Sequence, residues 1–145
     1  MAKAASLQPL IDLMQDRVDD ATRALGALVS AEQDAKSKLQ LLVQYREEYV
    51  ARFHDAGTQG VSLAVWRNYQ VFIDRIDQAI AQQRAAVAAS ELRTAEGQAE
   101  WLHQRNKLKA IDTLFHKRQE GERLVENKRD QKFQDEFAAR RFKPE

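Results

Sequence analysis

Cysteine is absent from this sequence, which removes a disulfide framework, a thiolate nucleophile and any cysteine-based zinc site. Proline occurs twice and glycine five times in 145 residues, too rarely to punctuate a chain of short strands and turns. No apolar run approaches the roughly 20 residues that span a bilayer. The N-terminal MAKAASLQPL lacks the hydrophobic stretch of a secretion signal. No glycine-rich phosphate cradle and no nucleophile elbow is present. His54, His103 and His116 have no ligand-like spacing and read as solvated surface groups. Asp12, Asp16, Asp19 and Asp20 stand on exposed helix, where nothing desolvates one carboxyl relative to another to separate their acidities. Catalytic, cofactor-binding and metal-binding residues are therefore all expected to be none, and an enzyme is not expected.

What is present is helix. Charged residues make up 31% of the chain, within a background of Ala, Gln and Leu that belongs to long helices rather than a sheet-containing globule. Apolar residues recur at alternating spacings of three and four through Leu7, Ile11, Met14, Val18, Ala21, Leu25, Leu28, Glu32, Ala35, Leu39, Leu42, Arg46, Tyr49 and Phe53. A second run follows through Trp66, Tyr69, Ile73, Ile76, Ile80, Gln83, Val87, Ser90, Thr94, Gly97, Trp101, Gln104, Leu108, Ile111 and Phe115. A 3.5-residue repeat held this long is a coiled-coil seam. The polar stretch HDAGTQGVS at His54 to Ser62 separates the runs and lets the second helix fold back on the first. The expected fold is all-α: one domain, a long antiparallel two-helix coiled-coil hairpin, with the C-terminal helix extending beyond the N-terminal one.

The expected boundaries are helix 1 over about 6–54, a loop over about 55–62 and helix 2 over about 63–140, with 116–145 as an overhanging arm. Ser6 is placed as the cap of helix 1 and Pro9 in its first turn. Ser62 is placed as the cap of helix 2, with Val61 stapled to Trp66. Pro144 closes a frayed tail. Two registers are open. One sets Leu25 beside Gly97, Ala21 beside Trp101 and Glu32 beside Ser90, so that bulky residues meet small ones and an acid meets a hydroxyl. The other is one heptad tighter and pairs Glu32 with Gln83. The first is preferred, because the second leaves Ile111 and Phe115 unmatched.

Charge is uneven. Residues 1–102 carry 11 basic and 14 acidic residues, and residues 103–145 carry 12 and 8. The arm is interleaved with acids, which favours a solvated helix or a protein partner over nucleic acid. Phe72, Ile76, Ala79 and Gln83, spaced 4, 3 and 4, form a narrow stripe beside the seam. It either widens the seam or meets a partner.

Four ordered segments carry a family resemblance across essentially the whole chain: VDDATRALG at Val18 to Gly26, LLVQYREEY at Leu41 to Tyr49, WRNYQVFID at Trp66 to Asp74, and ENKRDQKFQDEFA at Glu126 to Ala138, followed by Lys143, Pro144 and Glu145. In these the chain resembles the FliJ family, small cytosolic components of the flagellar type III protein export apparatus. The resemblance implies a coiled coil shaped like the central stalk of rotary ATPases. It further implies that the protein binds and promotes the hexameric export ATPase FliI, contacts the cytosolic domain of the export gate protein FlhA and escorts flagellar export chaperones. The implied location is cytoplasmic, peripheral to the inner membrane at the flagellar base. The family's gate-contact stripe maps onto Phe72, Ile76, Ala79 and Gln83, the last departing from the best-known member. Arg123, Lys128, Arg129, Lys132, Arg140 and Arg141 become the ATPase-facing residues of the arm. The alternatives are the equivalent stalk of a virulence-type secretion system and a basic-arm binder of nucleic acid or membrane surfaces. Nucleic-acid binding would be marked by a steep loss of affinity with salt.

Overall fold

The computed structural model describes residues 3–141. Among these, a 3₁₀ turn over Ala4–Leu7 leads into helix α1, Gln8–Gln59, and then helix α2, Leu63–Arg141. No strand occurs among the described residues. The two helices pack against each other as a hairpin, α2 being the longer. The expectation of fraying at Pro144 concerns residues outside the described range, as do Phe142, Lys143 and Glu145.

The start of α1 differs from the sequence expectation. Ser6 does not cap it; its hydroxyl donates to the Lys3 carbonyl at 2.6 Å within the 3₁₀ turn. Pro9 sits in the first turn of α1 as expected, where its missing N–H is harmless. The N–H of Ala4, which has no partner within the 3₁₀ turn, donates instead to the Glu122 carboxylate, Oε1 accepting at 2.6 Å. Ala4 is buried, at 4% exposure. No local pattern could announce this bond, because its acceptor lies 118 residues away in sequence.

The connection is also tighter than the eight-residue loop expected over about 55–62. Helix α1 continues through Gln59, and only Gly60, Val61 and Ser62 separate the helices. Gly60 has a φ of 80°, a left-handed conformation that a residue with a Cβ adopts at a cost. Antiparallel helices need only two to five connecting residues. Gly57, which read as part of the break, is tolerated inside the helix at a cost of about 1 kcal/mol. Ser62 caps α2 as expected: its hydroxyl accepts from the Val65 N–H at 3.3 Å, and its carbonyl accepts from the Trp66 N–H at 3.0 Å.

The chain forms two compact units, Thr22–Glu100 and Met1–Ala21 with Trp101–Glu145. In both, the inner positions are those of the 3–4 repeat. Every named position from Leu7 to Phe53 is half-buried, and every one from Tyr69 to Phe115 is buried or half-buried. Each helix covers one stripe, so the core is thin. Ile76, Ile80, Val87 and Ser90 are buried on α2, and no residue of α1 is fully buried.

Within the unit Thr22–Glu100 the register is the one that sets Leu25 beside Gly97. A Cβ at Gly97 would lie 2.5 Å from Leu28 Cδ1 and 3.7 Å from Leu25 Cδ1, so glycine is what lets the backbone approach those leucines. The Thr94 hydroxyl points at the Leu28 carbonyl, 3.4 Å away. The Glu32–Ser90 hydrogen bond does not form. Glu32 pairs with Lys36 at 3.6 Å, and Lys36 also reaches Glu91 at 3.8 Å. The Ser90 hydroxyl accepts from Arg93 at 3.3 Å. A lysine within reach of two carboxylates is the better partner for an acid that remains part-exposed. Cysteines at positions 28 and 94 should therefore oxidise rapidly to an intrachain disulfide, since facing layer positions bring Cβ atoms within bonding reach. Cysteines at 28 and 87, facing in the tighter register, should stay reduced, and the reverse result in a gel-shift assay would show that the register is wrong.

Candidate partner-binding surfaces

The stripe Phe72, Ile76, Ala79 and Gln83 lies on α2 where it meets α1, not on a separate flank. The ring of Phe72 is half-buried, with centroids 4.5 Å from Tyr49 and 6.3 Å from Tyr45. Ile76 is 5% exposed. The Gln83 amide donates to the Ala35 carbonyl of α1 at 3.0 Å, and Ala79 is half-buried. The stripe therefore widens the seam, and what it offers a partner is the edge of Phe72 and part of Ala79. The aromatic cluster continues through Tyr69, 5.3 Å from Tyr49 and 5.6 Å from Phe53, to Trp66, 4.2 Å from Phe53. Tyr45, a partly exposed member, was missed from the sequence. Its spacing of four residues before Tyr49 is the signal that could have found it.

Beside this cluster Arg46 and Asp77 form a forked ion pair across the helices. The guanidinium Nε donates to Oδ1 and Nη2 donates to Oδ2 at 3.4 Å. The hydrogen bond from Arg46 holds the Asp77 carboxyl below its ordinary value of 3.8, with charge attraction adding and partial desolvation opposing. The same bond raises the Arg46 guanidinium. A carboxyl depressed in the folded state stabilises that state above its unfolded pKa and loses this contribution as pH falls through the folded value. Both side chains are solvated, so the effect is small and screened by salt. Asp77→Asn should lower the melting temperature slightly at pH 7, and the gap from the parent should close on acidification below 3.8. A gap that stays constant with pH would assign it to something other than the ion pair.

The arm is a continuation of α2. The seam's last half-buried position is Arg118, and every described residue from Gln119 to Arg141 is exposed. All six basic residues read as partner contacts, Arg123, Lys128, Arg129, Lys132, Arg140 and Arg141, lie on this helical segment. Large apolar side chains accompany them: Leu124, Val125, Phe133 and Phe137. Because Glu122 holds the Ala4 N–H, the stretch without any partner on α1 or the 3₁₀ turn starts after Glu122 rather than after Phe115.

At the hairpin turn, Gly57, Gly60, Val61, Leu63 and Trp66 line a shallow open groove. Among the described residues no group of acids and histidines is placed to hold a metal. His116 lies 3.5 Å from Asp112 one helical turn away, a surface pair. None of the described helices is long and apolar enough to cross a membrane.

The sequence profile of the family described as Flagellar FliJ protein matches residues 3–145. The chain is 34% identical over 140 residues to the flagellar FliJ protein of Salmonella typhi, covering 97% of this chain and 95% of that one. It is 33% identical, with the same coverage, to the flagellar FliJ protein of Escherichia coli strain K12.

Proposed function

The chain belongs to the flagellar FliJ family, and from that premise we propose that this component of the flagellar protein export apparatus works as a stalk for the export ATPase. The observation that carries the proposal is the arm, a helix from Arg123 to Arg141 whose residues are all exposed and which the hairpin does not use. A folded helix with unspent apolar and basic side chains is built to be completed by a partner. The ATPase FliI takes up the arm, and the association favours the assembled, active hexamer because binding to one state stabilises it by mass action.

The edge of Phe72, with Ala79 beside it, contacts the cytosolic domain of the gate protein FlhA. Ile76, 5% exposed, and Gln83, bonded to the Ala35 carbonyl, serve the seam rather than the gate contact. The same scaffold escorts export chaperones. The protein itself does no chemistry, since a two-helix seam offers no water-excluding pocket in which to shift an acidity or orient a substrate. It acts in the cytoplasm and reaches the membrane only through the gate. Adding the purified chain to purified FliI should raise the rate of ATP hydrolysis and shift the ATPase toward hexamers in sedimentation. Unchanged turnover and unchanged oligomeric state at saturating concentration would overturn the stalk reading.

A further inference from the structure

We propose that the arm engages its partner through one helical face, Arg129, Phe133, Phe137 and Arg141, with the two phenyl rings as anchors in an apolar groove whose rim carries carboxylates. The inference rests on the reading that the export ATPase takes up the arm, and it names the chemistry of that contact. The four residues follow one another at intervals of four, so they line one side of α2. Phe133 is 70% exposed and Phe137 61%, leaving both rings in water. Aromatic and arginine side chains are the types that carry most of the energy of protein contacts, the rings by burial and the guanidinium by forked hydrogen bonds to carboxylates. An amphipathic helix laid in a groove is read through anchors at this spacing.

Helical spacing divides the basic residues of the arm. Arg129 and Arg141 bracket the rings on their own face, with Arg140 adjoining, while Lys128 and Lys132 lie to another side. Glu126 and Asp130 run along the N-terminal end of the face and offset Arg129. The positive end is the C-terminal one, at Arg140 and Arg141, so the groove's carboxylates belong beside Phe137.

A second copy of the chain fits poorly. Pairing this face with itself places arginine against arginine, Arg129 opposite Arg141 when antiparallel and each opposite its own counterpart when parallel, and like charges repel at an interface. An anionic membrane fits poorly as well, because Glu126, Asp130 and Glu136 lie on or beside the face that carries the rings.

The test compares full-length variants for binding to purified FliI hexamer. Phe133→Ala with Phe137→Ala keeps the arm helical, alanine being the strongest helix former, and circular dichroism verifies this. The double variant should weaken binding about thirtyfold or more, the scale of losing two anchor residues. Lys128→Gln with Lys132→Gln should change affinity less than about threefold, as for charges at a solvated rim. Arg140→Gln with Arg141→Gln should weaken binding and flatten its salt dependence. Unchanged affinity of the phenylalanine variant, with binding abolished by deletion of residues 124–145, would overturn the anchor face and leave the stalk reading standing. Full binding by the deleted chain would overturn both. Loss of self-association in sedimentation, or of binding to phosphatidylglycerol vesicles, without loss of ATPase binding would assign the rings to another occupant and overturn the proposal.

Discussion

Deleting residues 124–145 should leave the helix pair folded and abolish stimulation of the export ATPase. Among the described residues the retained chain keeps every buried or half-buried position, since the last of them is Arg118, and it keeps Glu122 with its bond to the Ala4 N–H. Seam burial dominates the stability of such a pair. Exposed residues away from the seam contribute within about 0.5 kcal/mol each way. Helicity should fall only by the missing segment, and the melting transition of the remainder should not move. The position of the cut matters. Ending the chain at residue 118, where the apolar repeat fades, would also remove Glu122 and strip the 3₁₀ turn of its cap, at a cost of about 1 kcal/mol. A truncated protein that stimulates ATP hydrolysis as well as the parent would show that the arm is not the ATPase-facing element.

Ile76→Ala should destabilise the protein by about 2–4 kcal/mol, the cost of removing a buried aliphatic side chain and leaving a cavity. Phe72→Ala should cost about 1–2 kcal/mol, because its ring is half in water and loses chiefly its contacts with Tyr45 and Tyr49. The two substitutions therefore separate folding from gate binding. Measured well below the melting transition, the folded Ile76→Ala protein should bind the cytosolic domain of FlhA nearly as the parent does, since Ile76 presents almost nothing to solvent. Phe72→Ala should bind much more weakly under the same conditions. Equal affinity of folded Phe72→Ala and parent would remove the gate contact from this stretch. Stability losses in the opposite order, read from circular dichroism melts, would show that Phe72 and not Ile76 holds the seam.

The seam was legible in the amino-acid sequence alone, because its cause is local. An apolar residue every three or four positions puts one stripe on one side of a helix, whatever the helix later meets. Positions from Leu7 to Phe53 and from Tyr69 to Phe115 are inside for that reason. The register was legible only as a preference between two: glycine at 97 leaves room for leucine at 25, which volume matching by residue type favours, and the packed helices add threonine at 94 facing leucine at 28. The Ser62 cap and the exposed arm follow from the same local grammar. Docking of the two helices decided the rest. It tightened the connection to Gly60, Val61 and Ser62, since glycine at 57 permits a break without requiring one. It moved the cap of the first turn from Ser6 to Glu122, drew Arg46 to Asp77, and gave Glu32 to Lys36 rather than Ser90. It also turned the stripe at Phe72 and Ile76 inward. In each case the choice lay among polar or flanking groups of similar intrinsic preference, and only the distance between side chains far apart in sequence separates such alternatives.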